Sequence, residues 1–186
     1  MSQTVVIVGL GEVGKPLFEI IKTRYEVFGV DIDLAAPLNR YDVMHICFPF
    51  RDRTFVAQVV EYIERYQPAL TIINSTVAPG ITRRIADEAG VPVVNNPVRG
   101  KHTHMRDEML HYTKFIGAFD PESAARAVQH FESVGMKTRV LATPEASEIA
   151  KLTETTYFGG PDRVGSGSRT ILQGSRGFLR RSGIFL

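Results

Sequence analysis

Cysteine is nearly absent from this sequence of 186 residues, since Cys47 is the single one. An internal disulfide is therefore excluded, which agrees with a reducing cytoplasm. No apolar run approaches the roughly eighteen residues of a membrane span, and the first residues lack the charged-then-apolar pattern of a secretory signal. We therefore expect a cytoplasmic protein without a membrane partner. Apolar residues make up 44% of the chain, enough to build a folded core.

Net charge is also low, at +2, and the basic excess is confined to one end. Residues 159–186 hold five arginines and Asp162, a balance of +4, so residues 1–158 carry −2. A body that binds nucleic acid needs a basic face to neutralise phosphates. We therefore expect no nucleic-acid partner for the folded part.

The alternation of apolar runs with helical periods up to Phe158 predicts an α/β fold with a doubly wound, mostly parallel sheet. Strands are predicted at residues 4–9, 26–31, 43–48, 70–74, 91–94, 114–119 and 137–141. Helices are predicted at residues 12–24, 51–66, 79–89 and 121–133, with a last one opening at Thr143-Pro144. Residues 95–112 are predicted to be polar and irregular.

The second crossover of this predicted sheet is unusually short. Only ten residues separate Asp31 from Asp42, and Pro37 is among them. A connection between parallel strands usually needs a dozen residues or more. We therefore expect a loop or one helical turn here, and no third strand in its usual place.

A dinucleotide-binding fingerprint follows the first strand, because residues 9–14 read G-x-G-x-x-G at the start of a helix. The three glycines permit a tight turn, a close backbone approach to pyrophosphate and helix packing on the strand. The helix N-terminus offers its amides to the phosphates. Asp31, about twenty residues on, accepts hydrogen bonds from the adenosine ribose and favours NAD over NADP. The predicted cofactor ligands of this region are Gly9, Gly11, Glu12, Val13, Gly14 and Asp31.

These observations predict a Rossmann-like NAD-binding domain over residues 1–142 and the start of an inter-domain helix over residues 143–158. Residues 159–186 form a tail rich in glycine and arginine. One interpretation is a disordered basic tail. In the other, a frameshift near Gly160 has replaced an amphipathic, helix-prone sequence that would continue the preceding helix, and the chain is truncated.

Three further segments resemble the UDP-glucose/GDP-mannose (nucleotide-sugar 6-) dehydrogenase family. Residues 45–49 (HICFP) are similar to the family's strand that ends in Val-Pro-Thr. Residues 74–82 (NSTVAPGIT) are similar to its Ser-Thr-Val-x-Pro-Gly-Thr-Thr segment, and residues 148–152 (EIAKL) to its Glu-x-x-Lys. The resemblance covers nearly all of residues 1–158, and it implies an NAD-dependent dehydrogenase.

The resemblance implies roles for individual residues. Phe48 and Pro49 would lie beside the cofactor. Thr76 would contact the cofactor and help to position a catalytic water; from the residues alone, its hydroxyl could equally cap the following helix. Lys151 would stabilise oxyanion character during hydride transfer, with Thr155 on the same helix face and Glu148 one turn earlier. Ile149, Leu152 and Thr156 are predicted to face the core.

The sequence also departs from the family pattern. Where the family has a catalytic glutamate after Asn-Pro, this chain has Val98, and the family's downstream thiol nucleophile has no counterpart. The family usually has Asn at the position of Thr155. Candidate substrate-binding residues are Asn96, Arg99, Lys151 and Thr155.

The histidines at 102, 104 and 111 lie in a polar segment without a zinc-binding pattern, so no metal site is expected. The sequence therefore predicts an NAD-binding oxidoreductase-type domain that transfers hydride from an alcohol to NAD. The alternative is a non-catalytic or truncated NAD-binding module without turnover. The expected partners are a small-molecule substrate, with a nucleotide-sugar as the candidate class, and a second copy in a weak homodimer.

Overall fold

The structure, a computed structural model, describes residues 3–98 and 104–158, and of residues 154–158 it describes the backbone alone. Seven strands form one sheet: β1 Thr4–Val8, β2 Glu26–Val30, β3 Val43–Ile46, β4 Thr71–Ile73, β5 Val93–Asn95, β6 Lys114–Gly117 and β7 Thr138–Leu141. The helices are α1 Gly14–Ile21, α2 Phe55–Tyr66, α3 Ile81–Ala89, α4 Met105–His111, α5 Pro121–Glu132 and α6 Pro144–Phe158.

The sheet has the order β2-β1-β3-β4-β5-β6-β7. All neighbouring strands run parallel except β5 and β6, which are antiparallel. The doubly wound, mostly parallel sheet predicted from the sequence is therefore confirmed. Because β1 to β4 are parallel, their carboxyl ends meet at one edge of the sheet.

Apolar side chains on both faces of the sheet produce two packed layers. On one face, α1 and α5 cover the strands through residues such as Leu17, Ile21 and Phe131. On the other face, α2 covers them through residues such as Phe55 and Val59. Both faces of β1 are buried, which explains why its sequence is continuously apolar instead of alternating.

The short second crossover is a loop, as predicted. Residues 31–42 contain an isolated bridge between Asp31 and Leu34 and no helix or strand. Strand β2 is consequently at the edge of the described sheet, with β1 as its neighbour. The Rossmann-like domain thus lacks its usual third strand.

The prediction that residues 95–112 are irregular is wrong in its second half, because Met105–His111 forms α4. Met105 and Met109, four residues apart, are both buried in the layer that contains α1. The surrounding residues are polar, so the two methionines were too few to give a helical period in the sequence.

Helix α6 begins where the sequence predicted, and the Thr143 hydroxyl accepts a hydrogen bond from the amide of Ala146 at 3.1 Å. Its buried face differs from the prediction. Glu148 is buried, whereas Leu152, predicted to face the core, is 36% exposed. The reason is that Glu148 finds hydrogen-bond donors on another helix, as described below. In the described part of the chain, no helix has the length and apolarity needed to cross a membrane.

Candidate functional site

The glycine turn after β1 is held against the neighbouring strands. Gly9 has φ +90°, a conformation that favours glycine, and its amide donates to the carbonyl of Val30 at 2.8 Å. A Cβ added to Gly9 would lie 2.7 Å from the amide nitrogen of Phe48. The first glycine of the fingerprint therefore lets the turn pass directly over the end of β3.

The other two glycines of the fingerprint have different surroundings. A Cβ on Gly14 would lie 1.8 Å from the carbonyl oxygen of Gly9, so this glycine is required for α1 to approach the strand. A Cβ on Gly11 would meet no atom within 4 Å. Gly11 is exposed, and nothing in the described protein requires it to be glycine. Its lack of a side chain leaves room for a ligand instead.

The N-terminus of α1 is open at this turn. Val13 is its N-cap residue and makes no side-chain hydrogen bond to the helix, while Glu12 is exposed beside it. Helix amides without a side-chain cap, together with the positive end of the helix dipole, favour an anion such as a phosphate. The chemistry of this turn is therefore compatible with the predicted contact to a phosphate group.

Asp31 lies next to the turn, as the fingerprint requires. Its carboxylate accepts hydrogen bonds from the amides of Leu10 and Ile32, each at 2.9 Å. Asp31 is exposed, and each carboxylate oxygen has a second lone pair for a further donor. The end of β2 thus offers a negatively charged acceptor beside the opening of α1.

The ends of β3 and β4 are joined by a hydrogen bond. The hydroxyl of Ser75 donates to the carbonyl of Phe48 at 2.6 Å. The Phe48 ring packs against Phe55, with the ring centroids 5.0 Å apart, and Pro49 is exposed. Phe48 and Pro49 therefore lie at the same sheet edge as the glycine turn, on its β4 side.

Thr76 follows β4 at this edge and is exposed. The structure does not support the alternative that Thr76 caps the following helix. The N-terminus of α3 is capped by the carboxylate of Glu148, which accepts bonds from the amides of Gly80 and Thr82. The Thr76 side chain is on the surface at the carboxyl ends of β3 and β4, the edge where open α/β sheets bind their ligands.

Below this edge, buried polar side chains link the strands to α5. Nδ1 of His45 bonds to Oδ1 of Asn74 at 2.8 Å, and Nε2 of His45 bonds to Nε2 of His130 at 2.9 Å. Asn74 donates its own amide hydrogens to the backbone and side-chain oxygens of Asn96. Oδ1 of Asn74 is therefore the acceptor for His45, and His130 donates to the remaining ring nitrogen of His45.

The two hydrogen-bonded histidines, His45 and His130, are neutral near pH 7. Burial, and secondly the nearby His130, hold the pKa of His45 well below its usual value. Burial lowers the pKa of His130 to about 4. Sequence reasoning missed this pair because the two residues are 85 positions apart.

The structure gives the substrate-binding candidate Asn96 a different position from the one expected. It is fully buried, and its side chain donates to the carbonyl of Phe115 at 2.8 Å while accepting from Asn74. Its place in the core gives the substrate prediction no support. The prediction for Arg99 falls outside the described residues, and so does the one for the side chain of Thr155.

Val98, at the position where the sequence resemblance implies a glutamate, is 6% exposed within the apolar core. Burial raises the pKa of the Cys47 thiol to about 12, so this cysteine is protonated near neutral pH and is a poor nucleophile. Among the described residues, position 98 therefore offers no carboxylate, and Cys47 offers no thiolate near neutral pH.

Lys151 lies on α6, almost one turn after Glu148, and is half-buried.

Within residues 3–98 and 104–158, no group of three or more His, Cys, Asp or Glu side chains could hold a metal ion. Sequence reasoning did not predict that Glu148 caps α3, because this acceptor and its donors are 66 to 68 positions apart.

Comparisons with known proteins agree with this architecture. The chain is 23% identical to UDP-N-acetyl-D-mannosamine dehydrogenase of Methanocaldococcus jannaschii over 207 aligned positions, which cover 84% of the chain and 48% of that relative. A UDP-D-ManNAc dehydrogenase structure from Pyrococcus horikoshii superposes with a TM-score of 0.71 at 19% identity, covering 83% of this chain and 50% of that one. The GDP-mannose dehydrogenase of Pseudomonas aeruginosa gives 0.68, also at 19% identity and with the same coverage. No protein-family model matches the chain.

The fold and the glycine turn define a class: this is the Rossmann-like α/β fold of dehydrogenase NAD-binding domains. Within that class, the chain resembles the N-terminal NAD-binding domain of the UDP-glucose/GDP-mannose dehydrogenase family. It spans about half the length of the relatives that it matches.

Proposed function

We propose that this domain binds NAD at the edge formed by the carboxyl ends of β1 to β4. The observation that carries the proposal is the position of Asp31, whose carboxylate bonds the amide of Leu10 inside the glycine turn. The sheet order places β2, β1, β3 and β4 side by side. The adenosine ribose would lie at Asp31, the pyrophosphate at the N-terminus of α1, and the nicotinamide over the residues that follow β3 and β4.

We expect NAD to bind at least about tenfold more tightly than NADP, because the Asp31 carboxylate repels a 2′-phosphate. Asp31→Ser should weaken NAD binding and remove most of this preference. Isothermal titration calorimetry with both cofactors measures the two affinities. Asp33→Ser is the matched control, since Asp33 is an exposed carboxylate on the same loop, and it should keep the wild-type preference. Equal affinities of the wild type for NAD and NADP would contradict the assignment of Asp31.

We further propose that the chemistry associated with this site is hydride transfer from an alcohol to NAD. NAD held at the glycine turn and Asp31 would supply the hydride acceptor, while the alcohol would lose the hydride from its carbon and the hydroxyl proton to a base or to water. Lys151 would stabilise the developing oxyanion, and Thr76 would contact the cofactor. The substrate would be a small molecule, with a nucleotide-sugar as the candidate class. The cytoplasmic location and the weak homodimer stay predictions.

A second candidate function is NAD binding without turnover, and the position of Val98 favours it. A buried valine supplies neither a base nor an acid where the related enzymes carry a carboxylate.

The second candidate predicts no steady NADH production from UDP-glucose or GDP-mannose, measured by absorbance at saturating NAD. The same preparation must bind NAD by calorimetry, so that inactivity is not confused with loss of the fold. Sustained turnover of either sugar nucleotide by pure protein would refute the second candidate.

A further inference from the structure

The N-terminus of α3 is capped by a side chain from α6. The Glu148 carboxylate accepts a hydrogen bond from the amide of Gly80 at 2.7 Å, from the amide of Thr82 at 2.9 Å and from the hydroxyl of Thr82 at 2.6 Å. Glu148 is 1% exposed. A carboxylate in this place satisfies helix amides that would otherwise be without partners, and it lies at the positive end of the helix dipole.

No residue of the β4–α3 connection provides this cap. Gly80 is the N-cap residue of α3, with φ +89°, and has no side chain. Burial raises the pKa of Glu148, although the bonds from Thr82 and Gly80 oppose that shift. A buried carboxylate is costly unless its acceptors are occupied, so the three hydrogen bonds and the burial of Glu148 depend on one another.

Two other contacts hold the first turns of α6 in place. A Cβ on Gly117 would lie 2.6 Å from Cα of Pro144, so α6 starts in close contact with β6. The guanidinium of Arg83 binds the carboxylate of Glu145 at 2.7 Å. Glu148 therefore connects a helix that is already fixed on the sheet to the connection after β4.

The connection itself is short and is held at both ends. Ser75 bonds to the carbonyl of Phe48 at its start, and Gly80 and Thr82 bond to Glu148 at its end. Thr76 lies between these two attachments. We infer that Glu148 is a positioning residue that sets the β4–α3 connection for the nicotinamide half of the dinucleotide. This inference rests on the proposed NAD site.

Comparison of NAD with ADP-ribose tests the inference, because ADP-ribose lacks the nicotinamide but keeps the groups expected at Asp31 and at α1. Glu148→Gln retains the size of the side chain and loses the charge and one acceptor oxygen. We expect it to weaken NAD binding about tenfold, the effect of losing a hydrogen bond to a charged group. ADP-ribose affinity should stay within about twofold of wild type. If the role of Glu148 were purely structural, Glu148→Gln would lower the affinities for NAD and ADP-ribose by the same factor.

Glu88→Gln is the matched control: it removes an exposed carboxylate that binds Arg84 within α3 and should leave the NAD to ADP-ribose ratio unchanged. Thr82→Val removes one donor to Glu148 while keeping the side-chain volume, and should lower the ratio by a smaller factor. It serves as the test if Glu148→Gln does not fold. Equal losses for both ligands, or no loss for NAD, in the folded variant would overturn the inference. If the wild type binds neither ligand, the proposed NAD site itself fails.

Discussion

Gly11→Val is expected to abolish NAD binding and to leave the fold intact. A Cβ at this position would meet no atom within 4 Å beyond its neighbours in the chain, and the position is exposed, so we expect the folded domain to accommodate a side chain. The same side chain occupies the space through which the pyrophosphate approaches the backbone. The effect on unfolding should stay within about 0.5 kcal/mol, as for other exposed positions without special contacts.

Gly14→Val is the matched comparison, because it adds the same side chain three residues later. A Cβ on Gly14 would lie 1.8 Å from the carbonyl oxygen of Gly9, so one of the two backbones must shift. We expect a loss of stability on the order of 3 kcal/mol or more. Calorimetric titration with NAD and thermal unfolding by circular dichroism measure both effects. A Gly11→Val protein with wild-type NAD affinity would disprove the role assigned to that glycine.

The second large effect is expected on acidification. The folded pKa of His130 is about 4 and that of His45 is also depressed, whereas an unfolded histidine titrates near 6.5. The unfolded chain therefore binds more protons below about pH 6.5, and protons favour unfolding. Stability is complete above that pH and is lost as the pH falls from about 6.5 toward 4. His130 alone should cost roughly 2–3 kcal/mol between about pH 7 and pH 4.5.

His130→Gln separates this effect from the titration of carboxylates, which both proteins share. Glutamine offers an N–H donor to His45 without titrating. Urea denaturation of both proteins at about pH 7 and pH 4.5 gives the free energies of unfolding. Between these two pH values the free energy of unfolding of the wild type should fall by roughly 2–3 kcal/mol more than that of the variant. Parallel losses would show that the buried histidine pair does not control acid stability.

The central strands β1 and β3 were predictable from the sequence because both of their faces are buried, so that they form almost continuous apolar runs. Residues 4–8 and 43–46 are fully or nearly fully apolar and form β1 and β3. The glycine turn and Asp31 were predictable because the local backbone itself requires glycine, as at Gly9 and Gly14. The loop between β2 and β3 was predictable because the ten residues between Asp31 and Asp42 are too few for the usual crossover.

What the sequence did not reveal depends on contacts between distant residues. Glu148 was placed one turn before Lys151, opposite the side of α6 predicted to face the core, because its donors on α3 are distant in the sequence. The buried face of α6 was therefore assigned incorrectly. Asn96 resembled a polar ligand-binding residue, but Asn74 and Phe115 bind its side chain in the core. In each case a polar residue is buried because its partner comes from another strand or helix.

The central claim is that NAD binds across the carboxyl ends of β1 to β4, and amide chemical shifts on titration with NAD test it most directly. The account predicts saturable shifts in residues 9–14, at Asp31 and Ile32, at Phe48 and at Thr76. Amides at the opposite edge of the sheet, such as that of Gln3, should not move. The absence of saturable shifts, or shifts centred away from the glycine turn, would contradict the claim.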